Sequence, residues 1–230
     1  MKQKETLSID TLMSTSGVSF GTSGARGLAK DMTDRICYAY TLAFLAMLKE
    51  QNALRCKKVA LGGDLRPSTP RIMTAVASAI IDAGFTIENC GYLPTPALAT
   101  HAIQQDMAGI MVTGSHIPEE RNGIKFYKPD GEILKADEHC MREQSVALDA
   151  ELFDEKGALL EPYSLPAPTP MAREQYILRY VELFPSRLLE GRRIGVYEHS
   201  TVSRDILGEV LERLGAEVIP LGRSEVFIPV

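Results

Sequence analysis

The sequence predicts an α/β fold in which helices cover both faces of a sheet, with one complete N-terminal domain and the start of a second, related α/β domain. Short apolar runs typical of strands alternate with amphipathic helical segments along most of the 230 residues. The apolar fraction of 45% and the charged fraction of 24% are ordinary for a folded globular protein. In sheets of this kind, the loops at the carboxyl ends of the strands usually carry the chemistry.

The first elements follow one another in a simple order. Residues 1–17 form a polar stretch, which predicts a tail. Val18 and Phe20 indicate the end of a short strand, and a glycine-rich loop with exposed backbone amides follows over residues 21–27. Further on, the sequence predicts a helix from Thr33 or Asp34 to about residue 52, a strand at 57–63, a helix from a Ser68 cap to Gly84, a strand at 85–90, a short helix at 97–104 and a strand at 108–114.

The second half of the chain predicts a return strand and then a new unit. Asn122 and Gly123 signal a turn before a strand at 124–127, and a helix begins near Lys135. A proline-containing stretch without periodicity then indicates a domain boundary. Beyond it come a helix at 172–184, a strand at 192–198, a helix at 203–214 and a strand at 216–222. The predicted division is a tail over 1–17, a first domain over 18–150, a linker over 151–170 and the start of a second domain over 171–230.

Composition and charge exclude several classes of protein. The net charge of −5 lacks the basic footprint of a nucleic-acid-binding protein. The longest apolar stretch, residues 42–48, is far shorter than the roughly 20 residues that cross a bilayer. The N-terminus lacks the apolar run of a secretory signal, so we expect a cytoplasmic protein that binds neither nucleic acid nor membrane. The four cysteines include no C-x-x-C pair, which argues against a zinc site and a disulfide framework.

Ser115, His116 and Lys125 form the densest group of chemically useful side chains, in the segment MVTGSHIPEERNGIKF. Ser115 directly follows a predicted strand, where a serine hydroxyl can face a substrate while neighbouring amides stabilise anionic oxygens. The segment also fits a plain hairpin whose serine only caps a turn, because Ser, Gly and Asn are common turn residues. Composition alone leaves both interpretations open.

A second group lies in FGTSGARG, which combines flexible glycines with Thr22, Ser23 and Arg26. Backbone amides and a fork-shaped cation suit an anionic group such as phosphate. The glycine spacing matches neither a P-loop nor the dinucleotide fingerprint. A surface loop with a solvated arginine is the alternative.

A third group lies in GGDLRPSTP, where Asp64 and Arg66 precede a predicted helix. They can form a structural salt bridge or help to shape a phosphate pocket, and we favour the structural role. The four histidines show no helical pairing, and repeated carboxylates of the Asp-x-Asp kind are absent from the sequence. The chain therefore predicts no complete metal site of its own.

Together and in this order, the three motifs resemble those of the α-D-phosphohexomutase family, which includes phosphomannomutases and phosphoglucomutases. The resemblance covers essentially the whole chain. FGTSGARG resembles the family's N-terminal arginine loop, GGDLRPSTP its glycine-aspartate-arginine element, and TGSHIPEERNGIKF its phosphoserine loop with the following lysine strand. The resemblance implies four domains and a Mg²⁺ ion that binds the phosphoserine together with an aspartate-rich loop of the second domain.

The resemblance also implies roles for individual residues. Ser115 would be the phosphorylated serine and would bind Mg²⁺ through its phosphate. The other roles that it implies are general acid/base for Lys125, a second proton-transfer group in His116, a partner of the reacting phosphate in Arg26, substrate or phosphate contacts from Thr22, Ser23 and Asn122, and support from Asp64 and Arg66. Family members commonly have asparagine where this chain has Ile117, which puts a polar role at that position in question.

The implied activity interconverts hexose 6-phosphate and hexose 1-phosphate through a hexose bisphosphate intermediate, in the manner of a phosphomannomutase. Phosphoglucomutase, phosphoglucosamine mutase and a non-catalytic module that binds sugar phosphates are the alternatives. The aspartate-rich, sugar-recognition and final phosphate-binding loops of the family have no counterpart in these 230 residues. We therefore expect an N-terminal part of the enzyme that is inactive in isolation, and the sequence leaves the oligomeric state open.

Overall fold

The computed structural model describes residues 4–22 and 24–229, and its first elements lie where the sequence predicts a tail. These elements are strand β1 (Lys4–Ser8) and helix α1 (Ile9–Ser16). The prediction of a tail over residues 1–17 is wrong for this part of the segment. The short helix is amphipathic, and its apolar residues Ile9 and Leu12 enter the main hydrophobic core.

A mixed sheet lies at the centre of the fold. Its strands are β2 (Ser19–Phe20), β3 (Gly24–Leu28), β4 (Lys58–Gly63), β5 (Thr86–Tyr92), β6 (Ala108–Val112), β7 (Arg121–Lys128) and β8 (Gly131–Glu132). They lie in the order β2-β3-β7-β6-β4-β5, with β8 beside β7. Strands β5, β4 and β6 are parallel, and β7 and β3 continue the sheet in antiparallel pairing. Because β4 and β6 are parallel neighbours, the loops that follow them meet at one edge of the sheet.

Helices cover both faces of this sheet, as the sequence predicts. The helices that follow α1 are α2 (Asp34–Glu50), α3 (Thr69–Asp82), α4 (Thr95–Gln104), α5 (Lys135–Arg142), α6 (Met171–Val181) and α7 (Arg204–Arg213). The larger core lies between the sheet and α2 and α3, and a second core lies on the opposite face against α4 and α6. Thr33 caps α2 by accepting a hydrogen bond from the amide of Ile36, so the predicted start of this helix is confirmed. None of the helices within residues 4–22 and 24–229 is long and apolar enough to span a bilayer.

A predicted loop lies partly, and a predicted turn wholly, inside a strand. The glycine-rich segment at 21–27 enters β3, where a Cβ added to Gly24 would lie 2.1 Å from the carbonyl oxygen of Ile124. Glycine is needed there because β3 and β7 approach closely, rather than because the segment is a loop. Asn122 and Gly123 lie within β7 and form no turn, because the Asn122 side chain is fully buried and bonds to neighbouring elements.

One more strand and a proline-containing segment precede a second strand-helix-strand unit. Strand β9 (Ser145–Asp149), which the sequence analysis does not predict, pairs antiparallel with β1. The proline-containing segment that follows contacts β5, where the Asn89 side-chain amide donates to the Pro166 carbonyl at 2.7 Å and the Asn89 main-chain carbonyl accepts from the Thr169 amide at 2.8 Å. Strands β10 (Arg193–Tyr197) and β11 (Glu217–Leu221) pair in parallel with α7 between them, which confirms the predicted strand-helix-strand unit. Apart from the tail, the division into domains stays a prediction.

Candidate active site

Ser115 lies three residues beyond the end of β6, in the loop that faces the loop after β4. Its φ of 53° is in the left-handed region, which costs a residue other than glycine roughly 1–2 kcal/mol. The Ser115 side chain is exposed, and its Oγ lies 3.3 Å from Nδ1 of His116. Both residues line a cavity of about 760 Å³. The serine hydroxyl is therefore presented to a space large enough for a small ligand.

A network of hydrogen bonds holds the backbone of Ser115. The Ser115 amide donates to Oγ1 of Thr113 at 2.9 Å, and the Thr113 hydroxyl donates to Oδ2 of Asp64 at 2.8 Å. The Gly114 amide donates to the same carboxylate oxygen at 3.0 Å. These bonds offset the cost of the left-handed conformation, so the loop after β6 is held to the loop after β4.

Asp64 is the anchor of this network. Its Oδ1 accepts from the Arg66 amide at 3.1 Å and from the Thr69 hydroxyl at 2.6 Å. Its Oδ2 accepts from Thr113 and Gly114 in the loop between β6 and β7, which we call the serine loop. The Asp64 amide in turn donates to the carbonyl of Val112, the last residue of β6. Both carboxylate oxygens are thus occupied by donors of the protein itself, which favours the structural role that we predicted over direct phosphate binding.

Arg66 is buried beneath the serine loop, with 3% of its surface exposed. Its guanidinium group donates to four main-chain carbonyls, those of Ser115, Ile117, Pro118 and Arg121, at 2.5–3.2 Å. Its Nε lies 3.4 Å from the Asp64 carboxylate. On the other side, Cζ lies 4.7 Å from the centre of the Phe227 ring, a cation–π contact. Arg66 therefore connects the serine loop with the segment near residue 227.

Arg26 and Lys125 lie side by side on the neighbouring strands β3 and β7. Arg26 pairs with Gly123 across the two strands. The Gly123 carbonyl accepts from the Thr113 amide at 2.9 Å, so hydrogen-bonded neighbours connect Arg26 to the loop that carries Ser115. Lys125 is one pleat further along the same face, with Nζ 3.7 Å from Oε1 of Glu132. Among the described residues, neither Arg26 nor Lys125 lines the cavity at Ser115.

The remaining predicted phosphate contacts differ in their placement. Thr22 is exposed, and Ser23 lies outside the described residues. The Asn122 amide is fully buried, where Nδ2 donates to the hydroxyls of Ser68 and Thr69 at 2.8 and 3.1 Å and Oδ1 accepts from the Gly123 amide. These bonds position β7 against α3, so they favour support rather than phosphate binding for Asn122. Phosphate binding by these three residues stays a prediction.

A second wall of the cavity comes from the second unit, which the sequence analysis did not assign to the site. Residues 199–204 and 224–228 line the cavity opposite Ser115. The hydroxyl of Ser200 accepts from the Ile228 amide at 2.9 Å, and the buried Arg204 donates to the Ser224 carbonyl at 2.7 Å. Ser203 directly precedes α7, but its side chain makes no capping bond to that helix.

The described residues do not supply a cation site on their own. Within residues 4–22 and 24–229, His, Cys, Asp and Glu side chains form no group of three or more that could hold a metal ion. Asp64, the carboxylate that bonds to the serine loop, already accepts hydrogen bonds on both oxygens. A cation at Ser115 would need ligands beyond these side chains.

Comparison with known proteins gives a consistent result. A family model for phosphoglucomutase/phosphomannomutase, alpha/beta/alpha domain I, matches residues 17–147. A phosphomannomutase of Salmonella muenchen is 43% identical over 215 residues, which are 94% of this chain and 42% of that protein. A phosphoglucosamine mutase of Anaeromyxobacter dehalogenans is 34% identical over 214 residues, which are 88% of this chain and 46% of that protein. The chain thus spans less than half the length of these relatives.

A solved structure supports the fold independently. A putative phosphomannomutase of Thermus thermophilus superposes with a TM-score of 0.68 at 20% sequence identity. The superposition covers 89% of this chain and 45% of that one. At this level of identity the likeness establishes the α/β fold alone.

Proposed function

The chain belongs to the phosphoglucomutase/phosphomannomutase family, the α-D-phosphohexomutases, and from this premise we propose that it carries the phosphoserine loop of a phosphomannomutase-like enzyme. The reaction would interconvert hexose 6-phosphate and hexose 1-phosphate. The proposal depends on one observation above all: Ser115 presents its hydroxyl to a cavity from a left-handed turn that buried side chains hold in place. The identity of 43% to a phosphomannomutase favours mannose phosphates over the alternatives.

The proposed reaction transfers a phosphoryl group from Ser115 to the sugar and then returns a different phosphoryl group from the sugar to Ser115. The bond between phosphorus and the Ser115 oxygen breaks as a new bond forms to the free hydroxyl of the hexose phosphate, and the product is a hexose bisphosphate. The sugar hydroxyl gives up its proton, and the serine oxygen gains one. The bisphosphate then returns its other phosphoryl group to Ser115, and the same steps run in reverse.

We assign the proton transfers to Lys125 and His116. His116 is placed for the serine oxygen, because its Nδ1 lies 3.3 Å from Ser115 Oγ. Lys125 serves the sugar hydroxyl, and Arg26, its neighbour on the same sheet face, stabilises charge on the transferring phosphoryl group. Both are long side chains on a sheet face that continues to the serine loop, which supports these roles although neither lines the cavity in this structure.

The proposed reaction includes a Mg²⁺ ion, because the family resemblance implies one bound to the phosphoserine. When bound, the ion would neutralise negative charge around the phosphoryl group. The phosphate on Ser115 would be one ligand, but the side chains of residues 4–22 and 24–229 do not complete an octahedral oxygen site. The proton transfers and the charge stabilisation are therefore assigned to Lys125, His116 and Arg26 alone.

Three further points stay proposals. We infer that the isolated 230 residues bind a hexose phosphate weakly and do not turn it over, because the chain spans less than half of the relatives it matches. The cytoplasmic location stays a prediction. A non-catalytic module for sugar phosphates remains the alternative from another class, and phosphoglucosamine mutase is the alternative supported by a more distant relative.

The test is a coupled assay of the protein expressed from its complete reading frame. Mannose 1-phosphate, glucose 1-phosphate and glucosamine 1-phosphate are compared in the presence of Mg²⁺ and a hexose bisphosphate. We expect the highest kcat/KM for mannose 1-phosphate and a phosphate adduct on Ser115 in peptide mapping. Ser115→Ala should abolish both, while Ser186→Ala, at an exposed serine outside the cavity, should change neither. Normal turnover by Ser115→Ala, or a phosphate on another residue, would overturn the proposal.

A further inference from the structure

Thr113 connects the anchor carboxylate to the reactive serine. It is the first residue after β6, and its side chain is buried, with 7% of the residue exposed. Its single side-chain oxygen lies 2.8 Å from Oδ2 of Asp64 and 2.9 Å from the amide nitrogen of Ser115. The sequence analysis assigned no role to this residue.

The direction of both hydrogen bonds is fixed by the chemistry of the partners. The Asp64 carboxylate can only accept, so the Thr113 hydroxyl donates to it. The Ser115 amide can only donate, so a lone pair of the same hydroxyl accepts from it. Donation to an ionised carboxylate polarises the hydroxyl and makes it a better acceptor for the amide. The Asp64–Thr113–Ser115 chain therefore has one arrangement of protons.

This chain of bonds acts on the conformation of Ser115. The left-handed φ of 53° is unfavourable for serine. The hydrogen bond from the Ser115 amide to the hydroxyl of Thr113, two residues earlier in the chain, helps to hold this conformation. Arg66 holds the carbonyl side of the same residue, at 3.1 Å. With both the amide and the carbonyl of Ser115 bonded, the backbone fixes the direction of the Cα–Cβ bond, from which Oγ faces the cavity.

We propose that Thr113 is a positioning residue for phosphoryl transfer at Ser115: its hydroxyl, oriented by Asp64, holds the Ser115 amide and so aims Oγ at the substrate. The inference rests on the proposed function of Ser115 as phosphoryl carrier. It predicts that loss of this one hydroxyl impairs the chemical step more than substrate binding, because a misplacement of about 1 Å can cost about 10²-fold in rate.

The test compares Thr113→Val with Thr113→Ser in the protein expressed from its complete reading frame. Valine keeps the shape of threonine and removes the hydroxyl, whereas serine keeps the hydroxyl and removes a methyl group. We expect Thr113→Val to lower kcat about 10²-fold with KM changed by no more than about twofold. Thr113→Ser should restore most of the lost turnover. Thr74→Val, at a helical threonine outside the cavity whose hydroxyl donates to the Pro70 carbonyl, is the matched control.

A second readout follows the hydrogen bond itself. Hydrogen exchange at the Ser115 amide should be slow in the unmodified protein and in Thr113→Ser, and at least about tenfold faster in Thr113→Val. Unchanged exchange and turnover in Thr113→Val would overturn the inference, as would an equal loss of turnover in Thr113→Ser. If the valine variant does not fold, Thr113→Ala is measured against the same two outcomes.

The two readouts separate the inference from the function on which it rests. If the unmodified protein neither turns over hexose phosphates nor carries phosphate on Ser115, the proposed function fails. The exchange rate of the Ser115 amide then still decides whether Thr113 holds it. If the unmodified protein is active and Thr113→Val is equally active, only the positioning role fails.

Discussion

The guanidinium group of Arg66 donates to the main-chain carbonyl of Ser115 at 3.1 Å, across 49 residues of sequence. The contact joins the loop after β4 to the loop after β6, and both loops end at the same edge of the sheet because their strands are parallel neighbours. The carbonyls of Ile117 and Pro118 in the serine loop, and that of Arg121 at the start of β7, accept from the same group. The serine loop therefore takes its shape from a single buried side chain as well as from its own turn residues.

Replacement of Arg66 by lysine should lower the free energy of unfolding by about 2–4 kcal/mol, measured by urea denaturation. Lysine keeps the charge but cannot reproduce the planar fork that reaches four carbonyls, and each buried bond lost costs about 1 kcal/mol. Arg55→Lys is the matched control, because Arg55 forms an exposed ion pair with Asp106. A change below about 0.5 kcal/mol at both positions would contradict the role given to Arg66.

Alanine substitutions at two glycines should have opposite effects on stability. A Cβ at Gly114 would lie 2.1 Å from Nε of Arg66, so Gly114→Ala should destabilise the protein by about 2–3 kcal/mol. Gly208 lies within α7, and its added Cβ would meet only Val218, at 4.0 Å, among the described atoms. Gly208→Ala should therefore stabilise the protein by about 0.5–1 kcal/mol. Thermal unfolding of both variants checks the signs, and two shifts in the same direction would be inconsistent with this packing.

The serine loop and the alternating elements were largely predictable from sequence, because their signals are local. Apolar runs marked β4 and β6, the Thr33 cap marked the start of α2, and the position of Ser115 after a strand followed from the apolar run of β6. Strands β1 and β9 were missed because each is stabilised by the other, at opposite ends of the first 149 residues. A short polar strand of this kind has no signal of its own.

The parts of the site that escaped prediction depend on contacts between distant segments. The turn signal of Asn122 and Gly123 was overridden because the Asn122 amide finds buried partners on Ser68 and Thr69. The role of Thr113 depends on Asp64, and the second cavity wall depends on how residues 224–228 fold back over the serine loop. Residue types alone do not reveal such pairings, although a polar residue two positions before a candidate catalytic serine is a reason to look for one.

Asp137 should make a contribution to stability that is lost in acid. Burial opposes ionisation of this carboxylate, but the Leu134 amide and the Lys128 ammonium group outweigh it, and the pKa of Asp137 is lowered. A folded-state pKa below that of the unfolded chain stabilises the fold above the unfolded pKa, near about 4, and this stabilisation disappears as the pH falls through the folded value.

The pH prediction is checked by urea unfolding of Asp137→Asn and the unmodified protein at about pH 7 and at about pH 3. The difference in free energy of unfolding should be largest at the higher pH and shrink at the lower pH. Asparagine can still accept from the Leu134 amide at the start of α5, so the lost part is the charge. A difference that stays constant with pH would show that the variant acts through packing alone.

Lys125→Met should lower kcat more than it raises KM in the protein expressed from its complete reading frame. Proton transfer by a side chain typically contributes about 10²–10⁴-fold to the rate, and methionine keeps an unbranched side chain of similar length without the transferable proton. Arg26→Ala should also lower kcat, but by loss of charge stabilisation, so added guanidinium ion should rescue it and leave Lys125→Met unaffected. Lys156→Met, at an exposed position outside the cavity, is the control. An intact kcat with raised KM in Lys125→Met would reassign Lys125 to phosphate binding.

Residues 1–230 alone should fold and yet show at least about 10³-fold less mutase turnover than the Salmonella muenchen phosphomannomutase assayed beside them. Folding is expected because both faces of the main sheet carry buried cores. Inactivity is expected because the described side chains do not complete a site for Mg²⁺, and the chain spans only 42% of that relative. A chimera in which this chain replaces the aligned part of the Salmonella enzyme should recover turnover, with a cooperative thermal transition of residues 1–230 as the check on folding. Turnover by the isolated residues at a rate near that of the relative would contradict the prediction and would place the whole catalytic site within this chain.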